Sequence, residues 1–478
     1  MTLTTETDEL LYERVSAHII SLIDHGTLRP GDRIPSVRKL SHQLDVSIST
    51  VLQAYRRLED AGRIEAKPQS GYYVRLHQWR APAEPEISRS SNASTHVSIG
   101  ELILKFMTDA RRPDIVPLGP AIAGPEALPI RQLNRIQSSI SRRRPNLGAA
   151  YDMPPGCIEL RTQVARRALE SGCTLSPEDI VATSGSQEAL CLCLRAVAKP
   201  GDTIAIESPT YYGVLQTIEV LGLKAIEIST HPRTGVCLDS LQRSIRTSKI
   251  KACLFVPNYN NPLGSEMPDD AKKQLVRMLV QREIPLIEDD IYGDLGFGAE
   301  RAKTCKAFDT SGNVLLVSSF SKTLAPGYRV GWCAPGRYRD ELARLKLFTT
   351  LANATLPQMA VAEFLANGGY DHHLRRVRKM HAENIARMTQ AVSLHFPAGT
   401  KVTRPAGGFV LWVELPKQVD SMKLHDLALA EKVSIAPGPI FSPKRKFKNF
   451  VRLNCGNAWS TQIERAVETV GKLANGMM

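Results

Sequence analysis

Five short apolar runs in this 478-residue chain each end in a different cluster of polar or reactive side chains. Ile180-Val181-Ala182 leads into Thr183-Ser184-Gly185-Ser186-Gln187 and an apparent helix start. Thr203-Ile204-Ala205-Ile206 leads into Ser208-Pro209-Thr210-Tyr211-Tyr212-Gly213. The run from Ala252 to Val256 precedes Pro257-Asn258-Tyr259-Asn260-Asn261-Pro262-Leu263-Gly264. Pro285-Leu286-Ile287 precedes Glu288-Asp289-Asp290-Ile291-Tyr292, and the run from Val314 to Val317 precedes Ser318-Ser319-Phe320-Ser321-Lys322. Amphipathic helical stretches lie between these runs, a pattern that predicts α/β layering. Ligands of open α/β sheets bind beyond the carboxyl ends of the strands. One rim would then collect hydroxyl and amide groups, an aromatic ring, an Asn, an Asp–Tyr pair and a Lys.

That set suits one kind of ligand. The Ser184-Gly185-Ser186 turn at a helix N-terminus favours an anion such as phosphate. Ser319, Ser321 and Arg329 can add donors to it. A buried Lys322 can form a Schiff base with an aldehyde. Asp289 can keep a pyridinium nitrogen protonated, so that the ring acts as an electron sink. Tyr211 can stack on a flat ring, while Asn261 and Tyr292 can hydrogen-bond a phenolate oxygen. Each group alone has an ordinary structural explanation, but five in order at strand ends describe pyridoxal 5′-phosphate.

Ahead of this region, residues 8–76 read as three helices and a hairpin. Leu11, Val15, Ile19, Leu22 and Ile23 recur at helical spacing, with His25-Gly26 and the Arg29-Pro30-Gly31-Asp32 turn closing that helix. Ser36 and Ser47 are N-cap candidates for the next two helices, the second of which stops at Gly62. Arg63 to Ala66 and Gly71 to Arg75 form strands around Lys67-Pro68-Gln69-Ser70. A winged helix-turn-helix results, whose second paired helix would enter the major groove of operator DNA. Ser47, Ser49, Thr50 and Gln53 face outward for that role, Arg38 and Lys39 can reach phosphates, and the hairpin tip with Ser70 and Gly71 can follow the minor groove.

Residues 77–100, with two prolines and five serines, read as a flexible tether, and 101–478 as one large α/β unit. The net charge of +13 favours an anionic partner, yet residues 1–76 are neutral overall, so the excess lies beyond them. Arg142-Arg143-Arg144, Arg375-Arg376-x-Arg378-Lys379 and Lys444-Arg445-Lys446-x-Lys448 are either solvated surface or places where DNA or an acidic partner touches the large unit. Nine scattered cysteines without a CxxC predict a reducing, cytoplasmic setting, no disulfide framework and no metal site. No signal-peptide core and no run of eighteen apolar residues is present, so no membrane partner is expected.

Gly31-Asp32-Arg33-Ile34-Pro35-Ser36-Val37-Arg38-Lys39-Leu40, Val46-Ser47-x-Ser49-Thr50-Val51 and Ser70-Gly71-Tyr72-Tyr73-Val74 closely resemble the DNA-binding domain of the GntR family. Ile48 and Leu52 stand where that family often carries Arg, so fewer guanine contacts are expected. Thr183 to Gln187, Asn261-Pro262-x-Gly264, Asp289-x-x-Tyr292, Ser319-x-Ser321-Lys322 and Arg329-x-Gly331 resemble the fold-type-I aminotransferases. That resemblance implies a large α/β/α domain with a smaller α+β domain. It also implies Lys322 as the Schiff-base lysine and Asp289, by its three-residue spacing to Tyr292, as the ring-nitrogen partner in preference to Asp290. Ser186, Ser319, Ser321 and Arg329 would hold phosphate, and Tyr151 would reach the phosphate of a partner subunit. Arg452, in Val451-Arg452-Leu453-Asn454, would pair with a substrate or effector carboxylate. The whole chain resembles the MocR group of regulators, in its YjiR-like branch. Such proteins are generally head-to-tail homodimers that respond to pyridoxal phosphate itself, or to an amine or amino acid forming an external aldimine. A working aminotransferase with a DNA-binding appendage remains open, as does a cofactor-free dimerisation platform.

Overall fold

The computed structural model describes residues 11–478 apart from 25–26, 29–30, 61–62, 68–69, 75–80, 91–92 and 110–111. Two units separate, 1–81 and 82–478. The predicted first-helix stop at His25-Gly26, the Arg29-Pro30 turn residues, Gly62, Arg75 and Pro68-Gln69 at the hairpin tip fall outside the described residues.

In the small unit, helices Leu11–Asp24, Val37–Leu44 and Ile48–Asp60 are followed by an antiparallel hairpin of Ile64–Lys67 and Gly71–Val74. Val15, Ile19, Leu40, Val51, Ala54, Tyr55 and Leu58 form its core with Ile64 and Val74. Both predicted caps form: Ser36 Oγ accepts from the Lys39 amide at 3.3 Å and Ser47 Oγ from the Thr50 amide at 3.1 Å. Each cap occupies an amide that the first helical turn leaves without a partner.

The large unit is built on a nine-stranded mixed sheet. Its main path runs Thr95–His96, Lys224–His231, Thr203–Ser208, Ile250–Phe255, Leu286–Asp289, Val314–Ser319, Gly331–Ala334 and Val181–Thr183, with Gly235–Val236 paired beside it. The Thr203, Ile250, Leu286 and Val314 strands are mutually parallel. Gly331–Ala334 runs against both its neighbours, so Val181–Thr183 points the same way as the other four. All five strands read from the sequence therefore end on one rim. Their central residues are apolar and pack into clusters on both faces of the sheet. A second, antiparallel sheet of Lys401–Val402, Val410–Glu414, Phe450–Asn454 and Ala436–Pro437 forms the smaller part, and the strand Phe450–Asn454 carries Arg452.

One expectation is corrected. Residues 82–90 and 93–99 of the expected flexible tether lie on the large unit: Ser88 and Ser90 bond Thr230 and Ser229, and Thr95–His96 adds an edge strand. Serine-rich composition reads as flexible only while its hydroxyls and amides have no sheet edge to bond. The basic clusters are also partly internal. Arg143 and Arg144 pair with Glu363 and Glu159, and Lys444, Arg445 and Lys446 donate to backbone carbonyls of that same stretch. Among the described residues, no helix is long and apolar enough to cross a membrane.

Candidate cofactor and DNA sites

At the rim of the large sheet, Ser186, Gln187, Tyr211, Asn261, Asp289, Tyr292, Ser321, Lys322 and Arg329 line one cavity of about 130 Å3, together with Val256 and Ile291. Register explains the convergence. Asp289 closes its strand beside Val317, and Thr183, Gly331 and Ser319 lie level across three strands, which brings the helix start at Ser186 beside Ser321 and Arg329.

Gly185 has φ +81, and a Cβ there would strike the Arg329 guanidinium. Glycine is therefore required both for the backbone angle and for the close approach. Arg329 donates to the Ser184 carbonyl at 3.0 Å and is exposed at the mouth. With the free amides of the Ser186–Val197 helix it makes a cationic cup.

Asp289 and Lys322, both in the cavity, are each pushed toward neutrality. Burial, then the charge of Asp290, raises the Asp289 carboxyl to about 7, against the Ile291 amide and Lys322. Burial, then the charge of Arg452, lowers the Lys322 amine to about 8. Asp290 itself is committed elsewhere, accepting from Asn258 at 2.9 Å and Arg301 at 2.5 Å. Asn261 Nδ2 donates to the Tyr292 hydroxyl at 3.4 Å. Thr323, next to Lys322, is pinned: its Oγ1 lies 3.0 Å from the Tyr370 hydroxyl and its carbonyl lies 2.7 Å from His373 Nε2.

Some expected residues stand apart from the cavity lining or have their polar groups engaged elsewhere. Ser319 is buried, with its hydroxyl oxygen accepting from the Ser321 amide at 3.4 Å. Gln187 is at the lining, but its amide donates to Gly213 and Thr217. Arg452 is fully buried, donating to Asn261 Oδ1 at 3.1 Å and to the Gly119 carbonyl. Tyr151 is 73% exposed and lines a different cleft, with Arg144 and residues 350–356. Sequence reasoning missed Val256 and Ile291; Ile291 was legible as the residue between Asp289 and Tyr292, on the same rim.

In the small unit, Arg38, Lys39, Ser47, Ser49 and Gln53 are exposed and Thr50 is half-buried. Ser47 Oγ lies 2.8 Å from Ser49 Oγ and 2.7 Å from Thr50 Oγ1, so the three hydroxyls share one patch at the helix start. Ser70 bonds the Tyr73 hydroxyl at 2.5 Å, and Gly71 begins the second hairpin strand, exposed.

The pattern described as aminotransferase class I and II matches residues 136–470, and that of bacterial regulatory proteins, gntR family, matches residues 11–74. The chain belongs to the MocR-type family of GntR–aminotransferase fusions. It is 39% identical, over 97% of its length and 98% of the relative's, to the uncharacterized HTH-type transcriptional regulator YdcR of Escherichia coli (strain K12). It is 38% identical to YjiR of the same organism, over 96% of this chain and 98% of that one. The crystal structure of LysN, an α-aminoadipate aminotransferase from Thermus thermophilus complexed with N-(5′-phosphopyridoxyl)-L-leucine, superposes with a TM-score of 0.72. It is 27% identical and covers 80% of this chain and 99% of that one. The aminotransferase class I and II fold is generally pyridoxal-phosphate dependent, and the MocR-type body has the same layered architecture.

Proposed function

We propose that the chain is a DNA-binding transcription regulator whose large unit holds pyridoxal 5′-phosphate and adjusts operator binding to that cofactor or to an amine or amino acid that reacts with it. The observation that carries this reading is the meeting of Lys322, Asp289 and the Ser186–Arg329 cup in one cavity, in a chain that also bears a GntR-type reader.

The residues fit the group. The glycine at 185 leaves room for Arg329 over the helix start, so phosphate would be held by Ser186, Ser321 and Arg329, with Ser319 supporting Ser321. Asp289 would face the ring nitrogen, where a cation would return its carboxyl to the ionised form. Tyr211 would cover one ring face, and Asn261 and Tyr292 would hydrogen-bond the phenolic oxygen. When bound, the cofactor supplies an aldehyde that condenses with amines and an electron-poor ring. Lys322, with its amine near neutrality, is the nucleophile for that condensation. Arg452 would fork onto an effector carboxylate, exchanging its bonds to Asn261 and Gly119. The exposed Tyr151 would reach the phosphate of a second copy in a head-to-tail homodimer.

Ligand binding acts by linkage: whichever dimer arrangement binds the ligand more tightly gains population, and the paired readers then favour one half-site spacing. A reader of operator DNA also implies a cytoplasmic setting. The test is a visible absorbance band on adding pyridoxal phosphate, abolished in Lys322→Ala, together with a change in duplex affinity in gel shifts. Colourless protein after soaking, or a duplex affinity indifferent to the cofactor and to every amine tried, rejects the reading.

A catalytic reading is favoured by the completeness of the constellation, since Lys322, Asp289 and Arg452 are all present. Release of a keto acid from a specific amino donor at many turnovers per site would establish it. A single turnover would leave regulation as the role.

A further inference from the structure

Residues 82–90 and 93–99 touch both sheets of the large unit. Near the start of this stretch, the Ala83 carbonyl accepts from the Val402 amide of the small sheet at 2.9 Å. The next residue, Glu84, receives a two-point grip from Arg233, Nε at 2.7 Å and Nη2 at 2.6 Å. Arg233 sits in the turn that follows the Lys224–His231 strand of the large sheet. The same carboxylate lies 2.9 Å from Nε of Arg404, just past the small-sheet strand Lys401–Val402. One side chain therefore bridges the two sheets, and the paired guanidinium groups hold it well inside the ionised range.

Farther along, Ser88 exchanges hydrogen bonds with Thr230, and Ser90 Oγ lies 2.9 Å from Ser229 Oγ. On the other flank, Lys446 Nζ donates to the Arg89 carbonyl at 3.2 Å and Lys444 Nζ to that of Ala93 at 3.0 Å. Lys446 also lies 2.8 Å from the buried Glu227, whose other oxygen accepts from Ser208 and Ser442. Ser208 is three residues from Tyr211, and the loop 442–448 leads into the strand that carries Arg452. The Lys444 and Lys446 anchors thus lie on a loop that joins elements of the Lys322 site.

We propose that residues 82–90 form a strap that transmits the state of the Lys322 site to the reader, with Glu84 as its clasp. The proposal rests on the regulatory reading above. Exposed ion pairs are individually weak, so the front of the strap is held by geometry that both sheets must supply together. When Arg452 grips a carboxylate, the small sheet shifts against the large one. Arg404 and Arg233 then no longer converge on one carboxylate, and Ala83 loses its partner at Val402. Release of residues 82–87 as an extended chain adds up to about 20 Å of reach to the reader that precedes them. That slack changes which half-site spacings the two readers of a dimer can span.

The experiment compares full-length wild type with Glu84→Gln, which keeps the shape and removes the charge. Pyridoxal phosphate is titrated by visible absorbance. Affinity for a duplex selected by the wild type from a random pool is measured without additive, with pyridoxal phosphate, and with pyridoxal phosphate plus a mixture of L-amino acids. Hydrogen exchange is followed at residues 83–90. E84Q is expected to bind pyridoxal phosphate like wild type, to exchange in the strap roughly tenfold faster without any ligand, and to lose most of the ligand-dependent change in duplex affinity. A variant that gains the absorbance band and keeps the full change in duplex affinity overturns the strap while leaving the regulatory reading intact. Unchanged strap exchange in E84Q overturns it as well. Wild type without an absorbance band overturns the regulatory reading, and the strap's role with it.

Discussion

Nη1 of Arg452 donates to Oδ1 of Asn261 at 3.1 Å, joining an arginine of the small sheet to the asparagine of the loop that follows the Ile250–Phe255 strand of the large sheet. The other end of the Asn261 amide meets Tyr292. On the proposed function, cofactor contact and effector contact would share this one side chain. Asn261→Ala is expected to weaken pyridoxal phosphate binding by roughly 1–2 kcal/mol, the cost of leaving buried polar groups without a partner. It should also shift the amino acid concentration needed for a spectral response. Absorbance titrations of the variant, with and without amino acid, measure both.

Condensation at Lys322 should be pH-dependent in a defined direction. Burial and the Arg452 charge hold its amine at about 8, and only the neutral amine attacks an aldehyde. The rate of band formation is expected to rise about tenfold per pH unit below about 8 and to level off above it. Removing one opposing charge, as in Arg452→Met, should move that midpoint upward. Stopped-flow absorbance across pH 6–10, roughly the range that brackets the amine, checks both statements.

Gly185→Ala is expected to fold but to bind pyridoxal phosphate poorly. The added methyl meets Arg329, and the φ of +81 disfavours any side chain. Displacing Arg329 removes a charge-assisted bond to phosphate, worth roughly 1.5–3 kcal/mol. A loss in phosphate competition assays, with near-normal thermal unfolding of the free protein, would match this account.

Lys346 is buried, and its Nζ lies 3.1 Å from both oxygens of Glu188 and 2.7 Å from Asn353 Oδ1. Glu188 in turn accepts from the Ser184 amide, so this pair braces the anion cup from behind. Lys346→Met leaves a largely buried carboxylate without its cation and should destabilise the large unit by about 3–5 kcal/mol. Denaturant unfolding of the full chain measures it. The double variant Lys346→Met/Glu188→Leu should recover part of the loss.

In the reader, Ser47→Ala removes a helix cap and should cost about 1 kcal/mol of local stability. It also removes the hydroxyl shared with Ser49 and Thr50. Weaker duplex binding without loss of the cofactor band is the expected result.

The sequence by itself determined the parts whose causes are local. Caps at Ser36 and Ser47, the hairpin of the reader, the five apolar strands and the motifs at their ends all follow from side-chain periodicity and turn chemistry within a dozen residues. Other features were decided only by tertiary structure, because they depend on groups far apart in the chain. The strand Gly331–Ala334 inserts antiparallel between its neighbours, which sets the Ser186 helix beside Arg329. Asp290 is drawn away by Arg301 and Asn258, leaving Asp289 as the carboxylate that lines the cavity. The serine-rich stretch after the reader is ordered by Arg233, Arg404 and the 442–448 loop, none of them near it in sequence. Composition reports what a segment can do in water; only the fold supplies the partners that decide what it does.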